Sequence, residues 1–104
     1  MVDLATECRS FVLSPAYAEM TLRQLALICV LADEAGPHHV RHLAWSLHVS
    51  KPVITRAINR LTSDGLVRRD INPRDRRDRL VALTDAGKAL RSSFVPRDIA
   101  GGTF

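Results

Sequence analysis

Residues 50–84 have the sequence SKPVITRAINRLTSDGLVRRDINPRDRRDRLVALT, and this segment decides the fold of the chain. Ser50 is a good N-cap, and Pro52 fits the first turn of a helix because its missing N–H is harmless there. Gly65 supplies a left-handed stop. Together these residues predict an amphipathic helix over residues 51–64.

A β-hairpin is predicted directly after this helix. Apolar and polar residues alternate over residues 67–71 and again over 79–83, which is typical of strands with one buried face. The turn between them, residues 72–78, reads NPRDRRD, and Thr84 is placed to cap a final helix. This order of elements predicts a mainly α fold with a small antiparallel β-hairpin, the winged helix-turn-helix (α+β).

The rest of the chain completes one predicted domain. Thr21 and Gln24 have the spacing of a capping box; they begin a helix that is apolar nearly all round and therefore central, and Gly36 ends it. A connector at 38–40 is suited to one edge strand, and a second helix follows over 41–48. We expect a single domain over 1–104, with an N-terminal helix in 1–20, a winged-helix core over 21–93 and a flexible tail over 94–104.

The positive charge of the chain is concentrated in one segment. Fifteen Lys and Arg against eleven Asp and Glu give a formal net charge of +4. Residues 51–79 alone hold nine bases, eight of them Arg, and four acids, so the remainder is close to neutral. A local cationic surface is expected for a nucleic-acid partner. No apolar run approaches the roughly 20 residues of a membrane span, which favours a cytoplasmic, nucleoid-associated protein.

The predicted helix over 51–64 separates into two faces when its residues are placed at 100° intervals. One arc is apolar and must face the core, and it holds Val53, Ile54, Ala57, Ile58 and Leu61. On the polar half, Arg56 can bond guanine, Asn59 can pair with adenine, and the Thr55 methyl group can pack on thymine. The alternative is an ordinary solvated surface, although the helix holds no acid before its last residue. The candidate contacts are Ser50, Lys51, Pro52, Thr55, Arg56, Asn59 and Arg60.

The predicted turn places three arginines, Arg74, Arg76 and Arg77, at an exposed tip. Their mutual repulsion is unfavourable unless a polyanion compensates it. Asp75 and Asp78 are interleaved with them, and one alternative is that these acids merely neutralise the turn through weak surface pairs. We favour the other, in which one acid orients an arginine while the remaining arginines reach phosphate or the narrow minor groove.

Two motifs resemble the MarR-type winged-helix transcriptional regulators. Residues 72–77, followed by VALTDAG at 81–87, are similar to the wing of that family, and residues 50–66, ending in LTSDGL, are similar to its recognition helix. The likeness covers about residues 21–91. It implies a bacterial, dimeric repressor or activator on a pseudo-palindromic operator in double-stranded DNA. Carried over by position, the major groove would be met by Ser50, Lys51, Pro52, Thr55, Arg56 and Asn59, and the minor groove by Arg76 or Arg77.

The resemblance also implies long C-terminal helices after the wing, which build the dimer and a ligand crevice in the family. Here 20 residues follow Thr84, so we expect a short form without those helices, and no small-molecule effector is assigned. Residues 2–20 either supply a substitute dimer contact or simply cover the core. The residues available for such a contact are Leu4, Phe11, Val12 and Tyr17.

Other residue types point away from catalysis and metals. His38, His39 and His42 lack a carboxylate or thiol at ligand spacing, so no metal site is expected. Cys29 lies in an apolar run and should pack as a small hydrophobe, and the single tryptophan, Trp45, is expected in the core. Without a phosphate loop or a catalytic triad, we expect no enzyme and no cofactor. The rival function is a winged-helix protein-interaction module whose basic face meets an acidic partner.

Overall fold

The computed structural model describes residues 4–13 and 19–93, and within these ranges the chain forms five helices and a three-stranded antiparallel sheet. The helices are α1 (Leu4–Leu13), α2 (Leu22–Asp33), α3 (Val40–Ser46), α4 (Lys51–Ser63) and α5 (Asp85–Ser93). The strands are β1 (His38–His39), β2 (Val67–Asn72) and β3 (Asp75–Leu83). The two longer strands form the predicted hairpin, which we call the wing, and β1 adds the predicted edge strand. The winged helix-turn-helix fold is confirmed.

The central strand of the sheet is β3, in the order β1-β3-β2, and its register decides which side chains share a face. Directly opposed residues of paired strands point to the same side, and alternate residues point to opposite sides. One side, the inner face, is formed by the pairs Val67–Leu83, Arg69–Val81 and Ile71–Arg79. Val67, Val81 and Leu83 are buried. Further out, the same face continues into exposed Arg69, Ile71 and Arg79, beyond the reach of the core.

The hydrophobic core lies between the base of the inner face and the helices. From α4 it takes four of the five residues in the predicted apolar arc, Ile54, Ala57, Ile58 and Leu61, while Val53 is half-buried. Leu27 and Ile28 of α2 and Leu43 of α3 pack into the same core. Each fully buried Leu or Ile stabilises the fold by roughly 1.5–3 kcal/mol. This packing fixes α4 with its polar half turned outward.

A small set of contacts fixes α5 against the start of β2. The hydroxyl of Thr84 accepts a hydrogen bond from the backbone N–H of Gly87 (3.1 Å), as predicted for a cap, and donates one to the carbonyl of Gly65 (2.6 Å). A Cβ atom at Gly87 would lie 2.1 Å from the carbonyl oxygen of Leu66. The close approach of two backbones therefore requires glycine at this position.

The two helices of the helix-turn-helix end in the same backbone motif. The motif has two backbone hydrogen bonds. After α3 they run from Val49 N to Ala44 O and from His48 N to Trp45 O. After α4 they run from Leu66 N to Leu61 O and from Gly65 N to Thr62 O. In each case one residue adopts the left-handed conformation, His48 with φ of 56° and Gly65 with φ of 75°. Such a motif satisfies the last carbonyl groups of a helix. The stop predicted at Gly65 is confirmed.

The end of α2 was predicted incorrectly. The capping box of Thr21 and Gln24 is present, but the helix ends at Asp33 and not at Gly36. Glu34 is already extended, and its carbonyl oxygen lies 3.1 Å from Nε2 of the buried His38. The chain leaves the helix early and uses residues 34–37 to reach β1, where His38 and His39 pair with β3.

Two apolar side chains are exposed, one on the helix that was predicted to be central and one that was predicted to lie in the core. Leu22 is 81% exposed, because α2 buries one stripe of its surface and is not surrounded on all sides. Trp45 is 74% exposed, although core packing was expected. The apolar stripe of α3 is complete without it, since Val40, Leu43 and Ala44 already face the core. This helix is also shorter than predicted and ends at Ser46, because residues 47–48 form the turn toward α4.

The N-terminal predictions are answered in part. Phe11 of α1 is buried in the core, whereas Val12 and Leu13 are exposed. The predictions for Tyr17, for the side chain of Leu4 and for a tail over 94–104 lie outside the described residues. None of the helices within residues 4–13 and 19–93 has the length and apolar character that a membrane span requires.

Candidate nucleic-acid interface

The polar half of α4 faces solvent, as its sequence predicts. Of the predicted contacts on it, Lys51, Pro52, Arg56, Asn59 and Arg60 are exposed, and Thr55 is half-buried. Ser50 occupies the N-cap position, but its hydroxyl makes no capping hydrogen bond and can be offered to a ligand. Nε of Arg60 donates to Oδ2 of Asp64 (3.1 Å). Arg60 is therefore partly engaged within its own helix, whereas the described residues include no ion-pair partner for Lys51 or Arg56.

A cleft of about 290 Å³, the basic cleft, lies between α4 and the wing. Lys51 and Thr55 of α4 form one wall, and Arg77 of the wing lies on the other. The cleft is lined by five basic residues, Arg41, Lys51, Arg69, Arg77 and Arg79, and by two acids, Asp75 and Asp78. Helix and wing therefore share one continuous cationic surface and are not separate basic patches.

Three arginines of the basic cleft were missed in the sequence analysis. Arg69 lies two residues after buried Val67, and Arg79 lies two residues before buried Val81. Since residues two apart on a strand share a face, the strand pattern alone was enough to place both arginines on the inner face. Arg41 could not be found in this way. It lines the cleft because α3 packs against α4, a contact between elements that no local pattern reveals.

The other flank of α4 forms a second groove of about 340 Å³. Ser50 and Arg56 line it together with Thr21 and Arg23 from the start of α2. The predicted contacts of α4 are thus divided between two flanks, with Lys51 and Thr55 toward the wing and Ser50 and Arg56 toward α2. The remaining predicted residues of the helix, Pro52, Asn59 and Arg60, line neither groove.

The reversal of the wing is much tighter than predicted. Residues 72–78 were expected to form the turn, but only Pro73 and Arg74 do so, and residues 75–78 belong to β3. The side-chain oxygen of Asn72 accepts a hydrogen bond from the backbone N–H of Arg74 (3.0 Å). This local bond closes a two-residue turn and leaves Arg74 alone at the tip.

Beyond the turn, β3 bulges away from its partner strand. Ile71 opposes Arg79 and Asn72 opposes Asp75, so residues 76–78 have no partner on β2. A guanidinium nitrogen of Arg79 donates to the carbonyl of Arg76 and spans the bulge. Arg76 and Arg77 therefore leave from the flank of the wing, because a bulge redirects the side chains that it contains.

Neither of the two acids interleaved with the wing arginines, Asp75 and Asp78, forms the expected contact with a guanidinium group among the described residues. Oδ1 of Asp75 accepts a hydrogen bond from the backbone N–H of Arg77 (3.0 Å). Oδ2 of Asp78 lies 3.0 Å from Nδ2 of Asn72 and 2.5 Å from Nδ1 of His39. The Asn72 hydrogen bond, and then that of His39, hold the pKa of Asp78 below its ordinary value. Asp75 and Asp78 therefore shape the backbone of the wing and form no ion pair with Arg74, Arg76 or Arg77.

The three predicted wing arginines, Arg74, Arg76 and Arg77, are all exposed. Within residues 4–13 and 19–93, none of their side chains forms an ion pair. Three like charges within four residues repel one another, and an exposed guanidinium can donate two parallel hydrogen bonds to a phosphate. The arrangement is therefore suited to an extended anionic ligand.

The histidines and cysteines form separate contacts. His38 forms a hydrogen bond with the backbone carbonyl of Glu34, and His39 forms one with Asp78. The ring of His42 stacks on that of Trp45 in the same helix. The part of the chain that is described holds no group of three side chains able to bind a metal ion. Burial raises the pKa of the half-buried Cys29 thiol, as expected for a cysteine that packs as a small hydrophobe.

The α3–turn–α4 pair, packed on a charged hairpin, defines a winged helix-turn-helix domain. The sequence profile of the MarR family matches residues 20–78, which is more than half of the chain. The chain belongs to the MarR family.

Individual relatives agree with this assignment. The HTH-type transcriptional repressor NicR of Pseudomonas putida is 32% identical over 78 residues, 75% of this chain. The chain spans about half the length of the curated relatives it matches, 49% in the case of NicR. The crystal structure of RV1404 from Mycobacterium tuberculosis superposes with a TM-score of 0.79 at 26% identity, covering 88% of this chain and 60% of the other. That of Streptococcus pneumoniae FabT in complex with DNA superposes with a TM-score of 0.76 at 21% identity, covering 86% and 61%.

Proposed function

We propose that this chain is a sequence-specific transcriptional regulator that binds double-stranded DNA. The observation that carries the proposal is the basic cleft, where Lys51 of α4 and Arg77 of the wing line the same surface. A duplex whose major groove receives α4 presents its backbone and next minor groove to the wing. The excess of cations in the cleft matches the phosphate charge of such a ligand.

The ten residues predicted from the sequence divide into two groups in this proposal. Those of α4 enter the major groove, where Arg56 and Asn59 read base edges and Thr55 packs on a thymine methyl group. The free hydroxyl of Ser50 and the ammonium of Lys51 bind phosphate at the start of the helix. The full set at the major groove and the phosphates beside it is Ser50, Lys51, Pro52, Thr55, Arg56, Asn59 and Arg60, and on the minor groove and backbone it is Arg74, Arg76 and Arg77.

The related proteins support the same function. NicR is named a transcriptional repressor, and the structure of FabT contains DNA. We further propose a cytoplasmic homodimer on a pseudo-palindromic operator, with two copies of α4 about 34 Å apart in successive major grooves. The exposed Val12, Leu13 and Leu22 provide apolar surface on α1 and at the start of α2 for such an assembly.

The test begins with duplexes selected by the purified protein from a random pool. Fluorescence anisotropy then measures affinity for a selected duplex and a scrambled one between 50 and 200 mM salt, the range over which phosphate contacts dominate. We expect tight binding to the selected duplex, weaker binding to the scrambled one, and a slope of log affinity on log salt of about −0.9 per phosphate contact.

Two results would contradict the proposal. Equal affinities for both duplexes would show that α4 does not recognise a specific base sequence. An affinity that hardly changes with salt concentration would argue against DNA as the partner and favour the alternative protein-interaction module. Light scattering on the selected duplex and on one half of it tests the dimer separately, since a complex with one protomer on the whole operator would exclude the two-fold arrangement.

A further inference from the structure

Trp45 is the single tryptophan of the chain, and the described function does not use it. Its side chain is 74% exposed on α3, where it stacks on His42 with ring centroids 5.7 Å apart and planes 27° from parallel. An exposed indole leaves a large apolar surface in water together with an N–H group that can donate a hydrogen bond. Such side chains are frequent where a protein meets a partner.

The position of Trp45 connects it to the basic cleft. Arg41 precedes it by one helical turn, and residues four apart are neighbours on a helix surface, with Cβ atoms about 5–6 Å apart. Arg41 lines the basic cleft with Lys51 and Thr55. The exposed surface of α3, formed by Arg41, His42 and Trp45, therefore extends the cationic surface of α4 and the wing by about one turn.

The chemistry of this surface favours phosphate over an apolar or basic protein partner. α3 contains a cation and an imidazole but no acid. The other large exposed apolar side chains among the described residues belong to α1, α2 and the wing, so Trp45 is the only large one that α3 exposes. One indole beside an arginine suits a sugar-phosphate chain, where the ring covers a deoxyribose and the N–H reaches a phosphate oxygen.

We infer that the Arg41–His42–Trp45 surface of α3 binds the phosphodiester backbone of the duplex whose major groove receives α4. The inference rests on the proposed function. In a helix-turn-helix, the first helix crosses the backbone next to the groove that the second helix occupies, and α3 is that first helix. In this arrangement Arg41 pairs with one phosphate, and the Trp45 Nε1–H donates to a neighbouring one.

The single tryptophan allows this contact to be observed directly. The wild-type protein is titrated with a selected duplex while tryptophan emission, acrylamide quenching and the anisotropy of labelled DNA are recorded on the same samples. We expect emission to fall and the acrylamide quenching constant to drop at least about twofold, both with the midpoint of the anisotropy curve, because bound DNA removes indole surface from water.

Substitutions separate contact from proximity. Trp45→Ala should weaken binding about tenfold, the loss expected for one hydrogen bond to a charged group, while Trp45→Phe should have an intermediate effect because it retains a ring but no donor. Neither should change the salt slope, whereas Arg41→Ala should reduce it by about one. Lys88→Ala on α5 removes a charge beside the outer side of the sheet and is the matched control, expected to leave the slope unchanged.

The results distinguish this inference from the proposed function. If anisotropy reports binding while emission and quenching of Trp45 stay as in the free protein, the α3 contact is wrong and the DNA-binding function stands. The same holds if Trp45→Ala, folded by circular dichroism, binds like the wild type. If anisotropy never changes, the proposed function itself fails.

Discussion

Nδ1 of His39 lies 2.5 Å from Oδ2 of Asp78, and this contact joins the start of α3 to the bulge of the wing. His39 is both the end of β1 and the N-cap residue of α3, and its ring makes no capping bond because it is directed to the wing. Asp78 also binds Asn72, so one half-buried carboxylate holds β2, β3 and α3 together. The wing is thereby fixed to α3, which packs against the α4 wall of the basic cleft.

Replacing Asp78 tests this role. Asp78→Ala removes a negative charge, which by itself would strengthen DNA binding, yet we expect weaker binding because the wing is no longer preorganised. Asp70→Ala is the control, since it removes the same charge from an exposed pair with Arg68 on the outer side of the sheet. Tighter binding by both variants in anisotropy titrations would show that charge and not wing geometry decides affinity.

The same carboxylate predicts an acid dependence of stability. The pKa of Asp78 is lowered from its ordinary value of 3.8 by Asn72 and then His39, so its contribution is present above that value and is lost as pH falls through the lower pKa of the folded state. Urea unfolding of the wild type and of Asp78→Asn should show a stability difference at pH 6 that shrinks as pH falls toward 3. A difference that is independent of pH would mean that the ionised carboxylate does not stabilise the wing.

The two left-handed helix ends predict opposite effects of substitution. His48→Gly should raise the free energy of unfolding by up to about 1 kcal/mol, because φ of 56° is costly for a side chain with a Cβ atom. Gly65→Ala should lower it by about 1 kcal/mol through its φ of 75° alone, since no atom lies within 4 Å of the added Cβ. Thermal or urea unfolding measures both, and a loss of stability in His48→Gly would indicate that the imidazole makes a contact that offsets the strain.

Base reading by α4 is tested at Arg56. Arg56→Ala should lose about 1–3 kcal/mol at one base position and relax the preference there. Arg23→Ala removes the same charge from the same groove and should weaken binding to all duplexes by the same factor. Repeating the duplex selection with each variant makes the comparison, and an unchanged preference in Arg56→Ala would exclude Arg56 from base reading.

The flank of the wing is tested by a double substitution. Arg76→Ala combined with Arg77→Ala should reduce the salt slope by about two, because neither guanidinium has an ion-pair partner within the described residues. The control is again Lys88→Ala, on α5. A slope equal to that of the wild type would place the wing away from the DNA.

Local chemistry allowed much of the fold to be predicted. The capping box of Thr21, the cap of Thr84 and the stop at Gly65 are all present, because each depends on residues within four positions of one another. The apolar arc of α4 was predicted for a similar reason, since the 3.6-residue spacing of its apolar residues can be observed directly in the sequence. At Gly36 the prediction was wrong because pairing of β1 with β3 draws the chain out of α2 early. In the wing it was wrong because the Asn72 side chain closes a two-residue turn and β3 begins at Asp75.

The sequence by itself determined the elements, their order, the outward polar face of α4 and the arginine content of the wing. Only the tertiary structure decided which of these charges meet. Arg41 enters the basic cleft through the packing of α3 on α4, Asp78 finds His39 at a distance of 39 residues, and Trp45 is left outside because α3 needs no further apolar residue. The physical reason is that capping and periodicity act over one helical turn, whereas the angles between packed elements are set by the whole core.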